Sequence, residues 1–160
     1  MEANVSPLIS VVVPVYNTEK YIANTIASLK NQTFQNFEII FVDDGTPDNS
    51  LAVIERELSE TQIKHSIVRQ PNSGLGIARN TGVSHANGDW VLFLDSDDIL
   101  SRHCLERYAN AIQKNPDAEF LFSKFQYVEE STPFLEAPPN DTTIVLNEES
   151  ILKGFLTILQ

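Results

Sequence analysis

Short runs of consecutive apolar residues recur along the chain, and each is followed by a more polar segment. The runs cover residues 9–13, 37–42 and 90–94, and the less apolar segments 64–69 and 119–128 are further strand candidates. Strands that are apolar without alternation are typical of a sheet that is buried on both faces. The pattern therefore predicts five strands separated by other elements, with the apolar strands buried.

Between these strands, apolar residues three or four positions apart predict four helices. The first covers about 19–31 with Thr18 as its cap, and the second follows Thr46 as cap with Pro47 at the first helical position. The other two predicted helices cover about 77–85 and 101–115. Regular alternation of strand and helix predicts an α/β fold with a mostly parallel sheet sandwiched by helices.

The character of the chain changes after Val128. Residues 129–143 are polar and contain three prolines, which predicts a long loop, and residues 147–160 predict an apolar helix. We therefore assign 1–128 to a core domain and 129–160 to a loop and apolar helix. Because this helix is too apolar to face water and has no stop signal, we expect it to begin the acceptor-side region of a longer protein. The alternatives are that this helix docks on the core domain or that residues 147–160 mediate self-association.

The composition is globular and acidic. Among 160 residues 42% are apolar, and the formal net charge is −11 with the basic residues scattered. This excludes a nucleic-acid binder, since phosphate contacts need clustered Lys and Arg. The single Cys104 excludes a disulfide framework, and the chain shows neither a secretory signal nor a run of membrane-spanning length. We expect a cytoplasmic protein, or a membrane-peripheral one at full length.

Five carboxylates follow directly after two of the predicted strands. They are Asp43, Asp44, Asp95, Asp97 and Asp98. In an open parallel sheet the carboxyl ends of the strands lie at one edge, where ligands bind. Like charges gathered there repel, and Mg²⁺ or Mn²⁺ would relieve the repulsion while bridging a carboxylate to substrate phosphates. The alternative is that these are ordinary turn and cap residues, which is less favoured for two clusters than for one.

Three other polar residues are candidates with two interpretations each. Tyr16 would stack on a base or lie at the rim of the core, and Asn17 would contact a ligand or start a helix. Arg79 would meet an anion near a helix start or pair with one of the acids. The glycine-containing segment 74–79 lacks the last glycine of a dinucleotide loop, and no phosphate-binding P-loop is present.

Four motifs occur in a specific order along residues 8–128. They are Ile9–Asn17, Phe37–Gly45, Asn72–Gly74 with Ala78–Gly82, and Phe93–Asp98. Together they resemble the family 2 glycosyltransferases. The resemblance implies the GT-A fold and an inverting, metal-dependent glycosyltransferase of the hexosyltransferase type. It further implies a nucleotide-sugar donor, with UDP-sugar as the first expectation, a glycan or lipid-linked acceptor, and a place in cell-surface polysaccharide synthesis.

The resemblance also implies which residues bind the nucleotide. Asp44, with Asp43 beside it, would accept a hydrogen bond from the imide nitrogen of the base, which is the reason for expecting uracil. The residues that would border the nucleobase and ribose are Pro14, Tyr16, Asn17 and Glu19.

The same resemblance identifies Asp95–Asp97 as an Asp-x-Asp motif. Asp97 would ligate Mn²⁺ or Mg²⁺, Asp95 would hold the ribose or the metal, and Asp98 would assist. Arg79 would lie near the phosphates or the donor sugar. The general base that inversion requires has no family-like candidate after Asp98, so we expect it downstream of Gln160.

Three other functions compete with this interpretation. A phosphoryl-transfer enzyme of the haloacid-dehalogenase type would use Asp95 as nucleophile and Asp97 as acid. A receiver-like signalling module would accept a phosphoryl group on Asp95. A non-catalytic partner domain would keep the fold and use its apolar tail as an interface.

Overall fold

A computed structural model describes residues 6–122 and the backbone of residues 144–146. Two compact units follow each other along the chain, residues 1–100 and residues 101–160.

The first unit is built on four parallel strands with the spatial order β3-β2-β1-β4. The strands are β1 (Ile9–Val15), β2 (Phe37–Asp43), β3 (Lys64–Arg69) and β4 (Trp90–Phe93). The helices between them are α1 (Ile22–Lys30), α2 (Ser50–Leu58) and α3 (Leu75–Ser84). The predicted alternation and the parallel pairing of these strands are confirmed.

Both faces of the central strands are covered, as their apolar sequences predict. Every residue of β1 and β2 is buried. On one face Ala78 of α3 packs with Val12, Ile40 and Val42. Helix α3 approaches β1 closely at Gly82, where a side chain would collide with Val12. By alternation the other face of these strands carries Val11, Val13, Ile39 and Phe41. Helices α1 and α2 pack against each other. Their buried apolar residues include Ile22, Ile26, Ile54 and Leu58.

Strand β1 is longer than the predicted run over 9–13, because Pro14 does not end it. Strand β1 continues to Val15, and Pro14 lies opposite Val42 of β2. The carbonyl of Val12 accepts from the N–H of Leu94 on the β4 side, so by alternation the nitrogen of Pro14 also faces that side. Strand β4 has already ended there, at Phe93, so the missing N–H breaks no ladder hydrogen bond.

The two predicted helix caps are also wrong. Helix α1 begins at Ile22 because residues 18–21 form a separate turn, in which the carbonyl of Thr18 accepts from Tyr21 and Ile22. Helix α2 begins at Ser50, whose N–H is bound by the carboxylate of Asp48. The Thr46 hydroxyl instead accepts from the N–H of Asn17, so it connects two loops.

The second unit contains helix α4 (Cys104–Lys114) and an antiparallel pair, β5 (Phe120–Phe122) and β6 (Ile144–Leu146). The prediction of a strand over 119–128 is confirmed at β5, whereas β6 was not predicted. The predicted helix over 147–160 and most of the predicted loop lie outside the described residues, so the division at residue 128 stays a prediction. Within the part that the structure describes, no helix is long and apolar enough to span a membrane.

Candidate functional site

The carboxyl ends of β2, β1 and β4 lie side by side, with β1 in the middle. The N–H of Asp44 donates to the carbonyl of Val15, and the N–H of Leu94 donates to the carbonyl of Val12. The chain segments that leave β2 and β4 are thus both bound to β1. The edge predicted to carry the polar motifs therefore exists, with Tyr16 and Asn17 between the two acidic segments.

The carboxylate of Asp44 organises the loop that precedes α3. Its Oδ1 accepts from Gln70 Nε2 at 2.7 Å and from the Ser73 N–H at 2.8 Å, and its Oδ2 accepts from the Gly74 N–H at 2.9 Å. Burial alone would raise the pKa of Asp44, but these three hydrogen bonds together hold it below its usual value. Asp44 is therefore an ionised, nearly buried acceptor that fixes residues 70–74. Gly74 adopts φ +87°, a conformation that favours glycine.

Asp43 lies at the end of β2 and is also nearly buried. Its Oδ1 accepts from the N–H of Thr46 at 2.9 Å. This contact closes the turn after the strand, which is the turn-residue role that the sequence left open. The two adjacent acids thus hold the two different loops that follow β2 and β3.

A cluster of polar contacts joins the loop after β1 to the loop after β2. Asp48 accepts from the Glu19 N–H at 2.8 Å and from the Ser50 hydroxyl at 2.6 Å. Glu19 in turn accepts from the N–H and side-chain amide of Asn49. Burial opposes ionisation of Asp48, yet these hydrogen bonds and one from Thr46 lower its pKa to about 2. Sequence reasoning missed Asp48, because the contact that connects it to the other loop comes from Glu19, 29 residues away.

The residues expected to border a nucleobase differ in exposure. Pro14 is buried within β1, whereas the Tyr16 side chain is 49% exposed at the end of that strand. Asn17 follows with φ +56°, an unusual backbone conformation for a residue other than glycine. The carboxylate of the exposed Glu19 faces Asn49. Tyr16 is therefore the residue of this group whose large side chain is exposed at this edge.

Arg79 reaches from α3 to the segment after β4. Its Nη2 donates to Oδ1 of Asp95 at 2.7 Å, and its guanidinium carbon lies 5.7 Å from the centre of the Phe93 ring. Of the two interpretations of Arg79, pairing with an acid is the one observed here. The same guanidinium remains partly exposed, so it can also meet an anion at this edge.

The acidic segment after β4 combines a buried backbone with exposed charges. Ser96 is buried, whereas Asp97 and Asp98 are exposed. Partial desolvation and the neighbouring negative charges of Asp97 and Asp95 raise the pKa of Asp98, as is expected where carboxylates lie close together. A cation would relieve this repulsion.

The donor set fits a metal that also binds a diphosphate. Within residues 6–122 no three His, Cys, Asp or Glu side chains are grouped to hold an ion by themselves. Mg²⁺ and Mn²⁺ at phosphate sites commonly take only one or two protein carboxylates, with phosphate oxygens and water completing the shell. Asp97 and Asp95 can supply such a partial set.

A cleft at the opposite edge of the sheet is separate from these residues. It is bordered by Phe37 and Lys64, the first residues of β2 and β3, and by Lys30 at the end of α1. Ligands of open parallel sheets bind at the carboxyl ends of the strands, so we place the site at the acidic edge.

Comparison with known proteins identifies the family. Residues 10–156 match the family described as Glycosyl transferase family 2. An uncharacterized glycosyltransferase of Haemophilus influenzae is 34% identical over 154 residues, which is 96% of this chain and 58% of the relative. The putative teichuronic acid biosynthesis glycosyltransferase TuaG of Bacillus subtilis is 31% identical over 160 residues, 98% of this chain and 63% of the relative. The chain thus spans about three fifths of the length of these two relatives.

Solved structures of glycosyltransferases have the same fold. The crystal structure of Staphylococcus aureus TarS 1-349 in complex with UDP-GlcNAc matches with a TM-score of 0.64 and 36% identity, covering 68% of this chain and 32% of that chain. A mannosyltransferase from Pyrobaculum calidifontis, in complex with GDP-Man and Mn²⁺, matches with a TM-score of 0.62 and 24% identity, over 71% of this chain and 34% of that chain, which shows likeness of fold alone. The fold is the GT-A fold that the sequence motifs implied, and the chain belongs to glycosyl transferase family 2.

Proposed function

We propose that this chain is the donor-binding part of an inverting glycosyltransferase. The enzyme transfers a sugar from a UDP-sugar to a hydroxyl group of a glycan or lipid-linked acceptor during cell-surface polysaccharide synthesis. One observation carries the proposal. In a member of this family, the ionised acceptor Asp44 and the Arg79–Asp95 pair lie at the same sheet edge, on either side of the end of β1. The names of TuaG and the UDP-GlcNAc complex of TarS support the pathway and the donor.

The uracil base is assigned to the edge formed by Asp44 and Tyr16. A carboxylate offers about four lone-pair directions, and the hydrogen bonds from Gln70, Ser73 and Gly74 use three of them. The fourth accepts from the imide N–H of uracil, a donor that cytosine lacks at this position. Because the pKa of Asp44 is lowered, the acceptor stays ionised at neutral pH. Tyr16 contributes an exposed ring for stacking on the base.

The diphosphate is assigned to the acidic segment after β4. Asp97 and Asp95 would hold Mn²⁺ or Mg²⁺, and the bound ion would neutralise the charge that develops on the leaving nucleotide. Arg79 holds Asp95 in place through its 2.7 Å contact and adds a positive charge beside the phosphates.

Inversion requires a base that removes the proton from the acceptor hydroxyl as the sugar is transferred. The residues at the acidic edge are already assigned to the nucleotide and the metal. We therefore place the base C-terminal to the Asp-x-Asp segment, on the acceptor side of the enzyme.

Titration calorimetry with UDP, in the presence and absence of Mn²⁺, tests the donor assignment. We expect UDP to bind in a Mn²⁺-dependent manner, ADP to bind at least about tenfold more weakly, and Asp97→Asn to weaken UDP binding about tenfold. Asp89→Asn is the matched control, because Asp89 is exposed at the amino end of the same strand that Asp97 follows. Absence of Mn²⁺-dependent UDP binding in a folded protein would overturn the proposal.

A further inference from the structure

We propose that Thr25 and Ser28, two buried residues of helix α1, are positioning residues for the Asp-x-Asp segment. Through the backbone of residues 94–100 they set the place at which Asp97 presents its carboxylate. The inference rests on the proposed function, since it assigns a purpose to these hydroxyl groups within the same donor site.

Both hydroxyl groups bind the backbone of a segment about seventy residues away. Thr25 Oγ1 donates to the carbonyl of Ser96 at 2.9 Å, and Ser28 Oγ accepts from the N–H of Leu100 at 3.1 Å. Ser28 Oγ also donates to the carbonyl of Thr25 at 2.7 Å, which links the two anchors. Thr25 and Ser28 are completely buried, so water does not compete for these hydrogen bonds.

These anchors enclose the acidic residues. Leu94 is bound to β1 at one end of the segment, Thr25 holds Ser96 in the middle, and Ser28 holds Leu100 at the other end. A turn between the Asp95 carbonyl and the Asp98 N–H at 3.0 Å closes the segment. The backbone is thereby fixed on both sides of the exposed Asp97. Since neighbouring carboxylates repel, an untethered segment would separate them and lose the arrangement that a cation needs.

Without these partners, hydroxyl residues at the two buried positions of α1 would be unfavourable. Thr and Ser are neutral or poor residues in helix interiors, where their hydroxyl groups usually bind a carbonyl of the preceding turn. Ile26 and Leu29, their neighbours in α1, are fully buried apolar residues, as packing alone would require. The Thr25 hydroxyl is instead directed to Ser96. Its removal would leave the Ser96 carbonyl buried without that donor.

The test measures Mn²⁺ affinity in the presence of saturating UDP, by calorimetry and by the paramagnetic resonance signal of free Mn²⁺. Thr25→Val keeps the shape of the side chain and removes the donor, and we expect it to weaken Mn²⁺ binding about tenfold. Thr25→Ser restores the hydroxyl group and should return the affinity to within about threefold of the unaltered protein. Ser28→Ala carries the same expectation as Thr25→Val, and it decides the question if Thr25→Val does not fold.

Ser10→Ala is the matched control, because Ser10 is another completely buried hydroxyl residue with two hydrogen bonds. It donates to Glu38 Oε1 at 2.8 Å and accepts from the Gly88 N–H at 2.9 Å, near the amino end of the sheet. This variant should lose stability and keep its Mn²⁺ affinity. The inference is overturned if Thr25→Val binds Mn²⁺ like the unaltered protein, or if Ser10→Ala loses the same affinity. If the unaltered protein binds no UDP with Mn²⁺, the proposed function fails, and the inference falls with it.

Discussion

Arg79 Nη2 donates to Asp95 Oδ1 at 2.7 Å and connects helix α3 to the segment that follows β4. The two side chains are 35% and 41% exposed, so the ion pair contributes little to folding. Its geometry nevertheless fixes one of the carboxylates assigned to the metal. A substitution at Arg79 should therefore change ligand binding far more than stability.

Arg79→Ala is expected to weaken Mn²⁺-dependent UDP binding about tenfold, because it removes a charged donor beside the phosphates and releases Asp95. The free energy of unfolding should change by less than about 1 kcal/mol. Calorimetry and urea unfolding measure the two effects on the same sample. Arg56→Ala is the control, since Arg56 forms an exposed ion pair with the adjacent Glu57. Equal UDP affinity in both variants would contradict the role of Arg79.

Asp44→Asn is expected to lower both stability and UDP affinity. An asparagine amide has only one acceptor oxygen, so its NH₂ group would face either the Gly74 N–H or the donors of Gln70 and Ser73. We expect a loss of about 2 kcal/mol in the free energy of unfolding, measured with urea. Gln70→Ala removes one donor and leaves the carboxylate intact, so it should cost about 1 kcal/mol and retain UDP binding. A stable Asp44→Asn protein with normal UDP affinity would contradict the assignment.

The sequence predicted most of the sheet because β1, β2 and β4 are largely apolar runs, and the structure has these strands together with the more polar and exposed β3. It misplaced the end of β1, since the effect of Pro14 depends on where the neighbouring β4 ends. It also assigned caps to Thr18 and Thr46 from local sequence alone. In the folded chain the Thr46 hydroxyl binds the loop after β1, a partner 29 residues away.

The candidate site was predictable as a set of residues but not as a set of contacts. Aspartates after apolar strands identified Asp44 and Asp95 through a local pattern. The partners that give them their properties are remote: Ser73 lies 29 residues from Asp44, and Thr25 lies 71 residues from Ser96. Such pairings depend on the strand order β3-β2-β1-β4, which the sequence analysis left undetermined.

Two glycines of α3 should respond oppositely to alanine. A Cβ at Gly82 would collide with both methyl groups of Val12, whereas a Cβ at Gly76 would meet no atom within 4 Å. Gly82→Ala should therefore lower the free energy of unfolding by about 1–3 kcal/mol, because the tightly packed helix and strand must separate. Gly76→Ala should raise it by about 0.5–1 kcal/mol, since alanine is the better helix former. Thermal and urea unfolding compare the two, and a stabilised Gly82→Ala variant would contradict the close packing of α3 on β1.

Asp48 should make stability depend on pH through its contacts with both loops. Its pKa is about 2 in the folded protein, below the ordinary value of 3.8. The stabilisation from its charge is therefore fully present above about pH 4 and is lost as the pH falls through about 2. Asp48→Asn should lower the free energy of unfolding by about 1–2 kcal/mol at pH 7, and the difference from the unaltered protein should shrink by roughly half at pH 3. Urea unfolding across this range tests the expectation.

Glu55→Gln is the control, because Glu55 is exposed and lies 3.6 Å from Arg69, so its effect should be small at every pH. A difference for Asp48→Asn that stays constant from pH 7 to pH 3 would show that the charge of Asp48 does not join the two loops.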